Sequence, residues 1–362
     1  MIKVLLISTV GLKYDGITNV MLSNLEAMDK SNLEFFVAET LVSENNIREK
    51  FKALGCKLVK FPNRKKNPLK YFWSVFSFIR KNKIDVVHAN GNSATLAIEM
   101  LAAKLGNCPI RIAHSHNTKA DFAKLDKILR PVFDISYNKA VACSNEAGKW
   151  LFKDKSFLVV NNGRDIDKYS FNPIKRQQMR DKLNGSDKLF IGHVGGFVTQ
   201  KNHDFLLHVY KEISLLRNDA IFFVIGDGDL KKQIHDLTDE LGIKDKVVFT
   251  GNIDNVQDYL QAMDVMIMPS LFEGLPLAVI EWQLSGLPVV MSDVITKDCI
   301  ISDKVERLSL KESYKSWAIK AIEASNCDGR EARVLQTRRN AKEMGFDIKD
   351  SAKKLRNLYI GK

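Results

Sequence analysis

Short β-rich apolar runs alternate with longer segments of helical period along nearly the whole chain, and this rhythm narrows the fold more than any other feature. In the first half the expected strands are residues 2–8, 33–38, 57–61, 84–88, 110–114, 140–143 and 157–160. Helical segments lie between most of them, among them 18–28, 68–81 and 93–105. Such alternation is the signature of a parallel, doubly wound α/β sheet. A polar stretch, 161–186, then interrupts it with Asn161-Asn162-Gly163, Pro173 and many charges, and reads as a hinge. The alternation restarts at 189–194, 221–225, 247–250, 265–268 and 289–292, and three helices from about Lys311 close the chain. A length of 362 residues exceeds what one core usually holds, so two domains are expected. They are 1–168 with 346–362, and 169–345, the last helix returning to the first domain.

Composition excludes several classes. No run approaches the roughly 18 apolar residues of a membrane helix, and the apolar start at Met1 reads as a first strand rather than a leader. The expected location is therefore cytoplasmic. The five cysteines are scattered and odd in number, which argues against a disulfide framework or a zinc site. A net charge of +12 attracts polyanions. No RNP motif, zinc finger or basic heptad directs that charge to nucleic acid, so no nucleic-acid partner is expected. The loop after the first strand holds Gly11 and Gly16 without the GxGxxG dinucleotide fingerprint.

Ligands of open α/β sheets sit beyond the carboxyl ends of strands. The run Pro269-Ser270-Leu271-Phe272-Glu273-Gly274-Leu275-Pro276-Leu277 directly follows an expected strand there. Pro276 suits the first turn of a helix. Backbone N–H groups from Gly274 through Leu275 and Pro276 to Leu277, with the helix dipole behind them, make a phosphate site. Glu281, farther along the helix, is placed to accept from a ribose diol, and Glu273 from the hydroxyls of a sugar. Taken alone, a pair of glutamates at this spacing reads more readily as an ordinary solvated pair at a helix terminus.

The run Phe272-Glu273-Gly274-Leu275-Pro276 with Glu281 resembles the E-x7-E signature of glycosyltransferase family 4 (group 1), the retaining GT-B enzymes. Further resemblances are Gly192-His193-Val194-Gly195 with Gln200-Lys201-Asn202-His203, Val224-Ile225-Gly226-Asp227-Gly228, Phe249-Thr250-Gly251-Asn252-Ile253, and the interdomain Asn162-Gly163-Arg164-Asp165. The resemblance implies two Rossmann-like domains facing across a cleft, an acceptor-binding first domain and a donor-binding second. It assigns Glu281 to the donor ribose, Glu273 to the transferred sugar, Lys201 to the diphosphate, and the backbone at Asn252 and Ile253 to the nucleobase. His116 would lie near the transferred sugar, and Gly16 would let backbone approach the donor or acceptor. Three positions depart from the family pattern. Gly196 stands where an arginine is usual, Arg164 where an apolar residue is usual, and Asp15-Gly16 keeps half of a Gly-Gly pair. A compensating role for Arg164 follows as an expectation. The loop His114-Ser115-His116-Asn117-Thr118 and Gln200-Lys201-Asn202-His203 look like the bacterial capsule and exopolysaccharide branch.

The implied reaction is transfer with retention from a nucleotide-sugar, a UDP-sugar in the first instance, to a glycan or lipid-linked acceptor. No metal and no cofactor are expected. Two histidines at 114 and 116 lack a third ligand. The strings Asp165-Ile166-Asp167 and Asp227-Gly228-Asp229 read as a hinge feature and a helix N-cap. Rival readings are a nucleotide-sugar-binding protein with weak catalysis and a UDP-sugar epimerase. Finally, on a helix over 69–80 the apolar residues cover about 220° of the wheel, wider than the roughly 100° one core contact needs. Leu69, Phe72, Trp73, Phe76 and Ile79 form one stripe, and Tyr71, Val75 and Phe78 a second. Basic residues from Lys60 to Lys83 flank them, which suggests an anionic membrane surface as a partner.

Overall fold

A computed structural model describes residues 1–13, 15–117 and 123–362. They form two compact units, one of Met1–Gly163 with Gly345–Lys362 and one of Arg164–Met344.

The first unit is built on a parallel sheet of β1 (Ile2–Ser8), β2 (Leu33–Glu39), β3 (Lys57–Lys60), β4 (Val86–Gly91), β5 (Ile110–Ser115), β6 (Lys139–Ala142) and β7 (Leu158–Val159), in the order β3-β2-β1-β4-β5-β6-β7. Alternate residues of β1 enter different cores. Leu5 and Ile7 pack with Tyr71, Val75 and Ile79, and Val4 and Leu6 with Met21, Leu25, Leu355 and Tyr359. Helices thus cover both faces, which is why the strands read as near-continuous apolar runs. The final helix, Ile348–Tyr359, packs in this unit. The Tyr359 hydroxyl hydrogen-bonds His88 Nδ1 at 2.7 Å, and His88 Nε2 meets His114 Nδ1 at 3.0 Å.

The second unit carries β8 (Leu189–Val194), β9 (Ala220–Ile225), β10 (Val247–Gly251), β11 (Val265–Met268), β12 (Val289–Ser292) and β13 (Val305–Leu308), all parallel, in the order β10-β9-β8-β11-β12-β13. Strand β13, at the edge of this sheet, lies beyond the strands expected from the sequence.

The polar stretch 161–186 carries regular structure. It contains helix Pro173–Lys182, capped by the Asn172 side chain accepting from Lys175 N–H. Its Arg176 and Arg180 both pair with Asp264, at 2.5 and 3.1 Å. Arg330 fills the same corner, donating to the carbonyls of Leu260, Gln261, Met263 and Ser285 while lying 4.1 Å over the Phe171 ring. Cationic anchoring rather than an apolar stripe holds this helix, so periodicity could not reveal it. The unit boundary falls at Gly163/Arg164 rather than 168/169 and at Met344/Gly345 rather than 345/346. Arg164 pairs with Glu281, and Asp167 pairs with Arg338 at 2.5 Å, which fastens this segment to the second unit.

Several histidines are buried and neutral. Burial lowers His88 to about 3 and His116 and His203 to about 4, and takes His114 and His193 well below the usual value. Unfolded histidines bind protons from about pH 6.5 downward, whereas burial moves proton binding by these rings to clearly lower pH. Between those values the unfolded chain holds more protons, so stability must fall as pH drops from 6.5. Each histidine contributes up to about 1.4 kcal/mol per pH unit. Calorimetry should therefore show a clearly lower Tm at pH 5.0 than at pH 7.5; a flat profile contradicts neutral, buried rings.

Candidate active site

The order of each sheet reverses between one strand pair, β1/β4 in the first unit and β8/β11 in the second. In sheets of this type ligands bind at the carboxyl ends of strands at such a switch point. At the second, the loops after β8 and β11 are joined. Leu271 N–H donates to Gln200 O at 2.9 Å, and Asn202 Nδ2 to Pro269 O at 3.1 Å. Gln200 Nε2 reaches Glu273 Oε2 at 3.0 Å, and Lys201 Nζ reaches Glu273 Oε1 at 2.7 Å. Glu273 and Lys201 therefore meet, with side chains 8% and 17% exposed. Such a partly desolvated pair is stronger than a surface one.

Glu273 and Gly274 precede helix Leu277–Leu284, which has Pro276 as N-cap residue rather than in its first turn. No side chain caps it. Val279 N–H returns to Pro276 O, so the amides of Leu277 and Ala278 remain available to an anion, with the helix dipole behind them. Leu275 is half-buried. Glu281 lies on the same helix. Arg164 Nε sits 2.6 Å from Glu281 Oε1, with both side chains largely buried. Beside them burial, then Glu281, pushes the Tyr169 hydroxyl far up. Arg164 thus pairs with the glutamate expected to hold a ribose.

The glycines in these loops fall into two kinds. Gly226 has φ +146°, and a Cβ there would stand 2.1 Å from Gly195 O, so the packing of the protein itself requires glycine. At Gly196 and Gly274 no described residue beyond the chain neighbours comes closer than 3.8 Å to an added Cβ. The vacant space at Gly196 is where the arginine usual in the family would project. Asn252 and Ile253 follow β10, and Gly226 N–H donates to Gly251 O at 3.1 Å. Beside them is a cavity of about 250 Å³ lined by Phe197, Lys231, His235 and Phe249. The His235 and Phe249 rings stack 4.0 Å apart. Motif reading missed this aromatic wall, because Phe197 comes from a loop, His235 from a helix and Phe249 from strand β10.

Asp227 binds Lys231 at 3.0 Å and its own following amide, and the next helix, Lys231–Glu240, is capped by Leu230 rather than by an aspartate. Among the described residues no group of three or more His, Cys, Asp or Glu is arranged to hold a metal ion.

Gly16 and His116 belong to the first unit. Gly16 is the first residue of helix Gly16–Ala27, whose Asp15 cap accepts from Thr18 N–H at 2.9 Å, and its α-carbon faces open space. His116 follows β5. Its Nε2 lies 2.9 Å from Asn90 Oδ1, and its ring is 4.0 Å from that of His114. Asn90 Nδ2 donates to Ile7 O, so Oδ1 faces the imidazole and His116 is the donor. Burial keeps the ring neutral, so its one proton is on Nε2, which suits it to orienting a hydroxyl rather than giving up a proton. Thr118 lies outside the described residues.

Helix Pro68–Asn82 divides its aromatic residues unequally. Tyr71, Val75 and Ile79 are buried, so Ile79 joins the core stripe. Leu69 and Trp73 are 77% and 58% exposed, and Trp73 packs edge-on against Phe72 and Phe76. Among the described residues no helix is long and apolar enough to cross a membrane.

The sequence pattern of the glycosyl transferases group 1 matches residues 175–344. The protein EpsF of Bacillus subtilis (strain 168) is 30% identical over 96% of this chain and 94% of its own length. The UDP-Gal:α-D-GlcNAc-diphosphoundecaprenol α-1,3-galactosyltransferase of Escherichia coli is 25% identical over 81% of this chain and 79% of its own. The structure of Anabaena HepE in complex with UDP-glucose superposes with a TM-score of 0.80 at 15% identity, covering all of both chains. The two Rossmann-like domains are those of the GT-B fold. With Lys201, Glu273 and Glu281 gathered on the loops and helix beyond β8 and β11, and a full-length relative at this identity, the chain belongs to the group 1 glycosyl transferases.

Proposed function

We propose that the protein is a retaining, metal-independent glycosyltransferase. It moves a hexosyl group from a UDP-sugar to a glycan or lipid-linked acceptor in capsular or exopolysaccharide assembly. The observation that carries this is the Lys201–Glu273 pair at the second switch point, beside the uncapped end of helix Leu277–Leu284. Glu281 would hold the ribose through the oxygen not facing Arg164, and the aromatic cavity after β9 and β10 would take the base. Lys201 and the helix amides would stabilise the leaving diphosphate, where preorganised donors give the largest catalytic benefit. The diphosphate would in turn accept the acceptor's proton on the same face of the sugar, which preserves the anomeric configuration. Support for a UDP-sugar and a lipid-linked acceptor comes from the HepE complex and the name of the E. coli relative.

Thermal unfolding with UDP, GDP, ADP or CMP, without divalent metal, tests the donor site. A nucleotide at 100 times its Kd adds about 2.7 kcal/mol. UDP should stabilise the wild type, and Glu281→Ala should abolish the effect; equal stabilisation of both refutes the ribose role. Because position 196 is open, Gly196→Arg should fold normally and tighten UDP binding about tenfold, the strength of one added charge-assisted contact. Proton NMR of the product should show the anomeric configuration of the donor, and inversion rules out the front-side mechanism.

A peripheral site on the inner membrane face is the second part of the proposal. Exposed Leu69 and Trp73 among Lys65, Lys66, Lys70, Arg80 and Lys81 suit an anionic surface, at about 1 kcal/mol per basic residue. Sedimentation should show binding to vesicles containing phosphatidylglycerol and loss of it in Trp73→Ser/Lys70→Ser. Equal binding to neutral vesicles counts against it.

A further inference from the structure

A cavity of about 330 Å³ opens in the first unit at its own switch point, where the loops after β1 and β4 diverge. Thr9, Val10, Arg64, Lys65, Asn92 and Ile98 line it. Its polar groups are held in place by the protein. Arg64, 8% exposed, gives Nε and Nη2 to Glu99 at 2.5 and 3.2 Å, and Nη2 also to Thr95 O at 2.8 Å. Glu99 is fully buried. Fixed along that edge, the guanidinium keeps Nη1 as a donor with no hydrogen bond in the described chain. Glu99 cancels the charge of Arg64, so the positive charge of the cavity comes from Lys65, which is exposed. The amide oxygen of Asn92 is buried without a partner, an acceptor suited to a hydroxyl. One wall is apolar, with Pro68, Ile98 and Leu125, and from Pro68 the chain runs straight into exposed Leu69 and Trp73.

We propose that this cavity binds the phosphate-bearing part of an amphipathic lipid diphosphate. Arg64 Nη1 and Lys65 meet the anion, Asn92 accepts from a sugar hydroxyl attached to it, and the lipid leaves along Pro68 toward Leu69 and Trp73. An anion alone needs no apolar wall, and an apolar ligand alone needs no immobilised arginine; together they select a molecule with both parts. The inference rests on the lipid-linked acceptor proposed above and names the residues that recognise it.

Isothermal titration of the full chain with farnesyl diphosphate, at saturating UDP so that the donor loops are filled, tests it. Saturable binding is expected, weakened about tenfold by the exposed substitution Lys65→Glu, which leaves UDP affinity unchanged. Arg64→Met with Glu99→Leu removes both buried charges together and should also weaken it, whereas Glu281→Ala should not. Binding that UDP displaces, or that Lys65→Glu leaves unaltered, overturns the site. Inorganic diphosphate binding as tightly as farnesyl diphosphate overturns the lipid ligand. If UDP itself fails to bind, the donor reading fails, and titration without UDP still reads this cavity.

Discussion

Parallel strand pairing is the constraint from which the functional geometry follows. A parallel pair cannot be closed by a tight turn, so each connection must cross over through a helix and return. All carboxyl ends then lie on one edge, and where crossovers change direction two neighbouring loops part and leave a crevice. In the second unit the parting loops follow β8 and β11, and the protein spends its polar contacts there. Gln200, Lys201 and Asn202 on one loop bind the backbone or carboxylate of the other. The loop after β9 is held close to its neighbour because Gly226 lets its backbone approach Gly195. A side chain at Gly226 would force those loops apart.

The same logic explains what was legible in the sequence. Strands buried on both faces write long apolar runs, so both sheets and their order of elements could be read directly. The glutamates at 273 and 281 were legible because one loop and one helix carry both. What escaped was held by pairs remote in sequence. Helix Pro173–Lys182 owes its place to Asp264, and Arg164 reaches Glu281, neither of which leaves any local period. The wall of Phe197, His235 and Phe249 assembles only once β8, β9 and β10 are side by side. Strand β13, with the sequence Val-Glu-Arg-Leu, is a sheet edge and too polar to stand out.

Burial of the wide aromatic helix shows how far a helical wheel can decide. The wheel gave two apolar stripes, and only a neighbouring surface can choose between them. The sheet took Tyr71, Val75 and Ile79, and left Leu69 and Trp73 exposed. The basic residues on either side were visible from the start, but their meaning depended on which stripe remained uncovered.

Charge on the loops and helix beyond β8 and β11 is balanced in pairs. Lys201 is matched by Glu273 and Arg164 by Glu281, and position 196 adds no cation. In the proposed reading a diphosphate therefore enters a site with no surplus positive charge among these four residues. It must draw Lys201 away from Glu273, and the helix amides supply the remainder. A carboxylate that loses its ammonium inside a protein is costly unless new donors replace it. The hydroxyls of the transferred sugar are such donors. A donor carrying its sugar supplies them, whereas the bare nucleotide leaves Glu273 uncompensated. In that reading the Lys201–Glu273 pair would couple phosphate binding to sugar binding, and would favour the intact donor over the spent nucleotide without an arginine at 196.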